Sequence, residues 1–275
     1  MSQLLTIAKL DFFESFRSRW FIGYAAVFLL LVVAIFLSGV TESRVMGFSG
    51  LTRLLLIFIQ ACNIILPIFI LVTTVRTIAK ERDSNVFEYL LSFPVPLAAY
   101  YWGKVLGRLL VIWLPLLLAI LLALGIGLVR GGEIPWRLLV LYTVLLASSS
   151  LTFLGIGFFI SVSTKSQELA LGIALFVWLL LIALIDIALI GFLIQQMVPD
   201  NLIFSLALLN PVQTFRIAAI ALFDPVLSVI GPTSFFLLDT FGSTGIIAYA
   251  LSYLCFIGLL FLSLGYLVFR RRDLL

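Results

Sequence analysis

Six uninterrupted apolar runs divide the chain: Trp20 to Val40, Leu54 to Val75, Val105 to Val129, Leu138 to Val162, Leu169 to Ile194 and Ile246 to Phe269. Each reaches the roughly 20 residues that a helix needs to cross a hydrocarbon core. Hydrocarbon offers no partner to backbone N–H and C=O groups, so a spanning segment is a helix or part of a closed barrel, and the alternating strands of a barrel are absent. The expected fold is therefore all-α and integral to the membrane, one transmembrane domain over 1–275. Composition agrees, with 63% apolar and 11% charged residues, against roughly 45–50% and 25% in soluble domains. A soluble globule is excluded, and 25 Phe, 8 Tyr and 5 Trp exclude disorder. Six spans in 275 residues leave no room for a sizeable soluble domain. The first run is too long for a cleavable signal and lacks a convincing cleavage site.

Basic residues set the expected orientation. Lys9, Arg17, Arg19, Arg76, Lys80, Arg82, Lys104, Arg108, Lys165 and Arg270 to Arg272 fall on one side; only Arg44, Arg53, Arg130, Arg137 and Arg216 fall on the other. Both termini are thus expected in the cytoplasm and the chain in the cytoplasmic (inner) membrane. Trp20, Tyr101 and Trp102 near one boundary and Trp136 near the other suit an aromatic belt. The net charge of +4 follows this asymmetry rather than a single face, so nucleic acid is not an expected partner.

Two segments are neither spans nor simple loops. Residues 1–19 place Leu5, Phe12, Phe13, Phe16 and Trp20 on one side of a helical wheel with Asp11 and Glu14 roughly opposite, which predicts an interfacial helix leading into the first span; a frayed terminus is the plainer alternative. The connection over 195–245 holds apolar stretches such as Leu202 to Leu209 and Ile217 to Phe223, broken by Pro199, Pro211, Pro225 and Pro232. These are too short to span and predict short helices at the outer leaflet.

Between the second and third spans, Asn85 and Glu88 form a capping pair and Pro94 ends the segment, predicting a two-turn helix from Val86 to Ser92 with Phe87, Leu90 and Leu91 on one face. So short a helix needs a surface to pack on, either a soluble partner or the spans themselves. Glu81, Asp83 and Glu88, interleaved with Lys80 and Arg82, read as a solvated charged loop rather than a metal site. Asp186, within the fifth run, is costly in hydrocarbon and must face the bundle or a partner, or be protonated. It either lines a path or bonds structurally to a neighbouring hydroxyl such as Ser148, Ser149 or Ser150. Gln60 and Asn63 in the second span share that ambiguity, and Pro67 reads as a kink. There is no histidine, no close cysteine pair, no G-x-S-x-G elbow and no G-x-x-x-x-G-K-[ST] phosphate loop. No metal site, no catalytic set and no phosphate-loop ATPase site is expected in this chain.

The stretch Glu81 to Gly107 resembles the signature of type 2 ABC-transporter permeases: an acidic-basic-acidic triplet (Glu81, Arg82, Asp83), an amphipathic helix with Phe87, Glu88, Leu90, Leu91, Ser92 and Pro94, and a glycine-lysine pair, Gly103 and Lys104. Asn85-Val86 stands where that family usually has Gly-Thr. The leader, six spans, late outer connection and closing YLVFRRRDLL extend the resemblance over the whole chain. Trp178 and Asp186 in the fifth span, and LLNPVQTFR with Asn210, Pro211 and Arg216, are similar to the narrower Nos-type group, the membrane subunits of nitrous-oxide-reductase maturation transporters.

The resemblance implies a homodimer of permeases resting on two ATP-binding cassette subunits. ATP and magnesium would be held by those subunits, and the coupling helix would carry their motion. It also implies an outer gate region at Asn210, Pro211 and Arg216, and in the Nos-type case a periplasmic accessory protein concerned with copper-site assembly. With no histidine and scattered methionines, a thiol or imidazole copper relay through this chain is not expected. The alternatives are an ABC exporter permease for a lipid, peptide or drug-like substrate, a non-transporting membrane scaffold, and a polytopic membrane enzyme.

Overall fold

A computed structural model of the chain describes residues 2–37, 51–84, 95–129, 136–195, 200–223 and 233–272. The described residues are helical almost throughout and contain no strand. Among the described residues, five helices are long and apolar enough to cross a membrane, or six when α1 (Ser2–Phe16) and α2 (Arg19–Leu37), bent by 68° to one another, count as one broken span. The expected interfacial leader is α1, and the expected first span is α2.

The second span is longer than its apolar run. Helix α3 (Leu51–Thr74, with Pro67 inside it) passes through Val75 directly into α4 (Arg76–Asp83). The charged stretch RTIAKERD is thus helical, and its Thr77, Ile78 and Ala79 are buried, which corrects the expectation of a solvated loop. A side chain from far away in sequence makes this possible. Ser161 Oγ accepts the backbone N–H groups of Ile78 and Ala79 at 3.0 and 3.1 Å, doing for the start of α4 what a local capping residue normally does.

Helix α5 (Leu97–Val129) begins well before its apolar run and carries Tyr101, Lys104 and Arg108 in its first three turns. Helix α6 (Trp136–Ser163) is the centre of the fold: 67% of its most apolar window is buried, against 11% for the fifth span. It packs on α11 (Thr233–Arg272) at Gly155 and Gly258, where each glycine lies against the other helix's backbone so closely that a Cβ would collide with it. Thr152 Oγ1 donates to the Leu254 carbonyl at 2.7 Å across the same contact. Small residues and a hydroxyl are the expected means of helix association where lipid removes the hydrophobic drive. Ser148 and Ser150 donate to their own helix's Val144 and Leu146 carbonyls at 3.0 and 2.8 Å.

The fifth span is interrupted. It runs as α7 (Gln167–Leu179), a wider π turn (Leu180–Leu184), and α8 (Ile185–Gln195). Beyond it come two short helices, α9 (Asp200–Leu209) and α10 (Pro211–Phe223), as the proline-punctuated connection predicts. Near the start of the last span, Gly242 adopts φ +65°, a left-handed conformation natural to glycine, and divides α11 into a short and a long helical part.

Candidate functional site

The polar side chains gather at two ends of the bundle. At the basic end, the consecutive charges Glu81, Arg82 and Asp83 on α4 each reach a different neighbour. Glu81 Oε1 takes Lys104 Nζ at 2.6 Å, and its Oε2 accepts the Tyr100 hydroxyl, so it is held by α5. Arg82 Nη1 donates to the Val162 and Thr164 carbonyls at 2.8 and 3.0 Å, satisfying the C-terminal end of α6, where a cation is also favoured by the helix dipole. Asp83 Oδ2 accepts the Gln167 N–H at 3.4 Å at the N-terminal end of α7, which Ser166 caps through the Leu169 N–H. Three adjacent residues thereby tie the root of the 85–94 segment to three spans.

Helix α1 joins the same network through one narrow stripe. Ala8, Asp11 and Ser15 are buried, whereas Leu5, Leu10, Phe13 and Phe16 are exposed. The inward stripe lies on Gly103 and Gly107 of α5, where a Cβ would meet the Leu4 and Ala8 carbonyls at 2.9 and 2.7 Å. One turn apart on that helix, Lys104 and Arg108 flank the contact. Arg108 Nη2 reaches Asp11 Oδ1 at 3.3 Å and Lys104 Nζ lies 3.9 Å from it, so Lys104 is shared between Asp11 and Glu81. The Lys104 ammonium also sits over the Tyr100 ring, 5.2 Å from its centroid.

At the other end, Asp186 does not bond to the α6 serines, of which Ser148 and Ser150 donate to their own helix. Its partners are the Gln213 amide and Arg216 Nη1, the latter at 3.5 Å, both from α10. Asp186 thus meets side chains of α10 in place of the hydroxyls of Ser148, Ser149 or Ser150. The π turn adds a second tie: Asn210 Nδ2 donates to the Leu181 carbonyl at 2.6 Å. A π turn offers carbonyls that a regular helix would keep for itself. Asn210 Oδ1 accepts the Val212 N–H at 3.0 Å, so Asn210 and Pro211 begin α10 as an N-cap and first-turn proline. The carbonyls ending α9 are taken by Thr214 Oγ1 and the Tyr249 hydroxyl at Leu208, 2.6 and 3.2 Å, and by the Tyr253 hydroxyl at Leu209. Further along the fifth span, the Trp178 indole donates to the Ile64 carbonyl at 3.4 Å, holding α7 against α3. Asn63, beside it on α3, is buried and Gln60 is half-buried.

A family model described as ABC-2 family transporter protein matches residues 5–274. The chain belongs to the ABC-2 transporter family. Two relatives bear the same description, probable ABC transporter permease protein NosY. The one from Stutzerimonas stutzeri is 26% identical over 280 residues, covering 99% of each chain. The one from Pseudomonas aeruginosa PAO1 is 26% identical over 230 residues, covering 82% of this chain and 84% of the relative. This ABC-2 permease is similar to the first over nearly its whole length, and its ATP-binding cassette partner is implied by the family.

The residues singled out from the sequence separate into three groups. Glu81, Arg82 and Asp83 come together with Lys104 at the basic end; Asp186, Asn210, Pro211 and Arg216 come together at the other. Phe87, Glu88, Leu90 and Leu91, with the predicted helix Val86 to Ser92, lie outside the described residues. Asp11, Arg108, Tyr100, Ser161 and Gln213 were missed as site residues. For Arg108 a signal existed: cations four apart on the glycine face of a span need counter-charges, and Asp11 is the acid of the leader that α5 covers.

Proposed function

We propose that this chain is the membrane subunit of an ABC transporter in which a separate ATP-binding cassette subunit, holding ATP and magnesium, moves the bundle through the segment 85–94. The observation that carries this reading is the triplet Glu81, Arg82, Asp83: the root of that segment is tied to α5, α6 and α7 at once, so force applied to the segment reaches three spans. Val86 to Ser92 is the coupling helix, with Phe87, Leu90 and Leu91 as its docking face and Glu88 at its polar edge. The basic end and both termini are cytoplasmic, in keeping with the basic-residue asymmetry, and the permease works as a homodimer in the inner membrane.

The relatives named NosY support a Nos-type role, in which motion is delivered to copper-site maturation of nitrous oxide reductase through a periplasmic accessory protein. The α9–α10 region with Arg216 is the surface offered to that protein. This chain supplies movement rather than a copper relay, since it lacks histidine.

The test is the double substitution of Phe87 and Leu91 by Ser. Burial of such side chains contributes roughly 1.5–3 kcal/mol each before ordering costs. The ATPase subunit is expected to leave the membrane fraction, or to hydrolyse ATP without coupling, while the spans insert normally. Parental co-purification with responsive hydrolysis would refute the coupling helix. If no ATPase subunit accompanies the unaltered chain, the scaffold reading takes its place.

A further inference from the structure

We propose that the basic end contains a binding site for one phospholipid with a primary-amine headgroup, of the phosphatidylethanolamine class. The site is a cavity of about 420 Å³ between the second half of α1, the α3–α4 junction, and the first turns of α5. Apart from Val72, its lining residues carry polar or charged groups, and of both signs: Arg76, Lys80, Lys104 and Arg108 against Asp11, Glu14 and Glu81. Most of these charges already serve the network described above, but the pairing is incomplete. Asp11 Oδ2, Thr77 Oγ1 and Arg108 Nε are buried and have no hydrogen-bond partner among the described residues, and all three residues line this cavity. Asp11 and Thr77 are each 5% exposed. Buried polar atoms of this kind are ordinarily satisfied by a ligand or ordered water.

The chemistry of the three atoms selects the ligand. Arg108 Nε needs an acceptor and Asp11 Oδ2 needs a donor. A bare phosphate would answer the first, leave the second unanswered, and face three carboxylates. A simple amine would do the reverse. A phosphate joined to a primary ammonium by two carbons answers both, and Thr77 serves either group. A quaternary ammonium carries no N–H and fails at Asp11.

A second cavity indicates that the phosphate belongs to a lipid. It measures about 820 Å³, shares Asp11, Glu14, Glu81 and Lys104 with the first, and has apolar walls at Ile7, Leu10, Phe13 and Val95. The exposed side of α1, with Leu5, Leu10, Phe13 and Phe16, places both cavities at the height of an interfacial helix, where headgroups and the tops of acyl chains lie. An acyl chain in the apolar compartment and the headgroup in the polar one would cross the shared charged rim.

The full chain, purified from its membrane with any subunits it retains, would be delipidated. It would then be re-supplied with phosphatidylethanolamine, phosphatidylcholine or phosphatidylglycerol of matched acyl chains, and retained lipid counted by native mass spectrometry. Retention of phosphatidylethanolamine is expected to exceed that of either other lipid by about tenfold, the worth of one charge-assisted hydrogen bond. Thr77→Val and Lys80→Gln, which leave the Asp11–Arg108 and Glu81–Lys104 pairs intact, are expected to reduce this preference several-fold without lowering the melting temperature. Equal retention of the three lipids, retention of none, or an unchanged preference in both variants would overturn the proposal. Displacement by free phosphoethanolamine at the lipid's own concentration would also overturn it, because the apolar compartment would then contribute nothing.

Discussion

The two polar ends of the bundle solve the same problem in opposite ways. At the basic end, Asp11, Lys104, Glu81 and Arg108 are largely enclosed, with side chains 3–20% exposed, and they knit α1, α4 and α5 together while Arg82 and Ser161 bind α4 to α6. At the other end, a single ion pair joins Asp186, 22% exposed, to Arg216, 43% exposed, across a gap of 3.5 Å. A buried, shared cation cannot be removed without stranding charge, whereas a solvated pair is screened and easily remade. The difference teaches that the first end is tied through shared, enclosed charges, so that no one of its groups can be lost alone. The second joins α8 to α10 through a more solvated ion pair, beside the bonds of the buried Gln213 and Asn210.

The sharpest way to break this comparison is Lys104→Ala. It leaves Asp11 with Arg108 alone and Glu81 without a cation, a change on the order of 3–5 kcal/mol. Thermal unfolding of the detergent-solubilised protein should show the loss directly; a shift no larger than that of Asp186→Leu would dissolve the distinction between the ends. Next in size is Arg82→Ala, which removes charge-assisted bonds to two carbonyls and is expected to cost about 1.5–3 kcal/mol. Faster amide exchange over α4 and at the α6–α7 turn would register it, and unaltered exchange there would deny Arg82 its role as a tie.

Within the second end, Asn210→Ala removes both the cap of α10 and the bond to the π turn, for a cost of about 1–2 kcal/mol. Cysteine accessibility along α10 should rise with little change at α4. If accessibility rises equally at both ends, the ends are not independent. The smallest effect is expected for Asp186→Asn, less than about 1 kcal/mol once solvent screening of the half-exposed Arg216 is allowed for. The amide oxygen still accepts from Gln213 and Arg216. Assembly and melting temperature near the parent's would agree; collapse of assembly would mean that the charge itself holds α8 to α10.

Much of the fold is already present in the one-dimensional pattern, for a reason that the solvent supplies. A hydrocarbon slab demands about 20 apolar residues per crossing and forbids unpaired backbone, so the runs ending near Val129, Val162 and Phe269 declare helices without reference to one another. Proline spacing announced the short helices around Pro211. Partnership was beyond the sequence, since a side chain's neighbour depends on how helices rotate and pack. Asp11 and Arg108 are 97 residues apart, Ser161 and Ile78 are 83 apart, and Gln213 meets Asp186 across 27. The wheel of α1 put Asp11 opposite the phenylalanines, but only the close approach to Gly103 and Gly107 decided that the stripe Ala8, Asp11, Ser15 turns inward while Glu14 stays exposed with Leu5, Leu10, Phe13 and Phe16. Likewise RTIAKERD reads as a loop because charges avoid hydrocarbon; it is a helix whose start is capped by Ser161 at Ile78 and Ala79, with Glu81 taken by Lys104 and Arg82 by the end of α6.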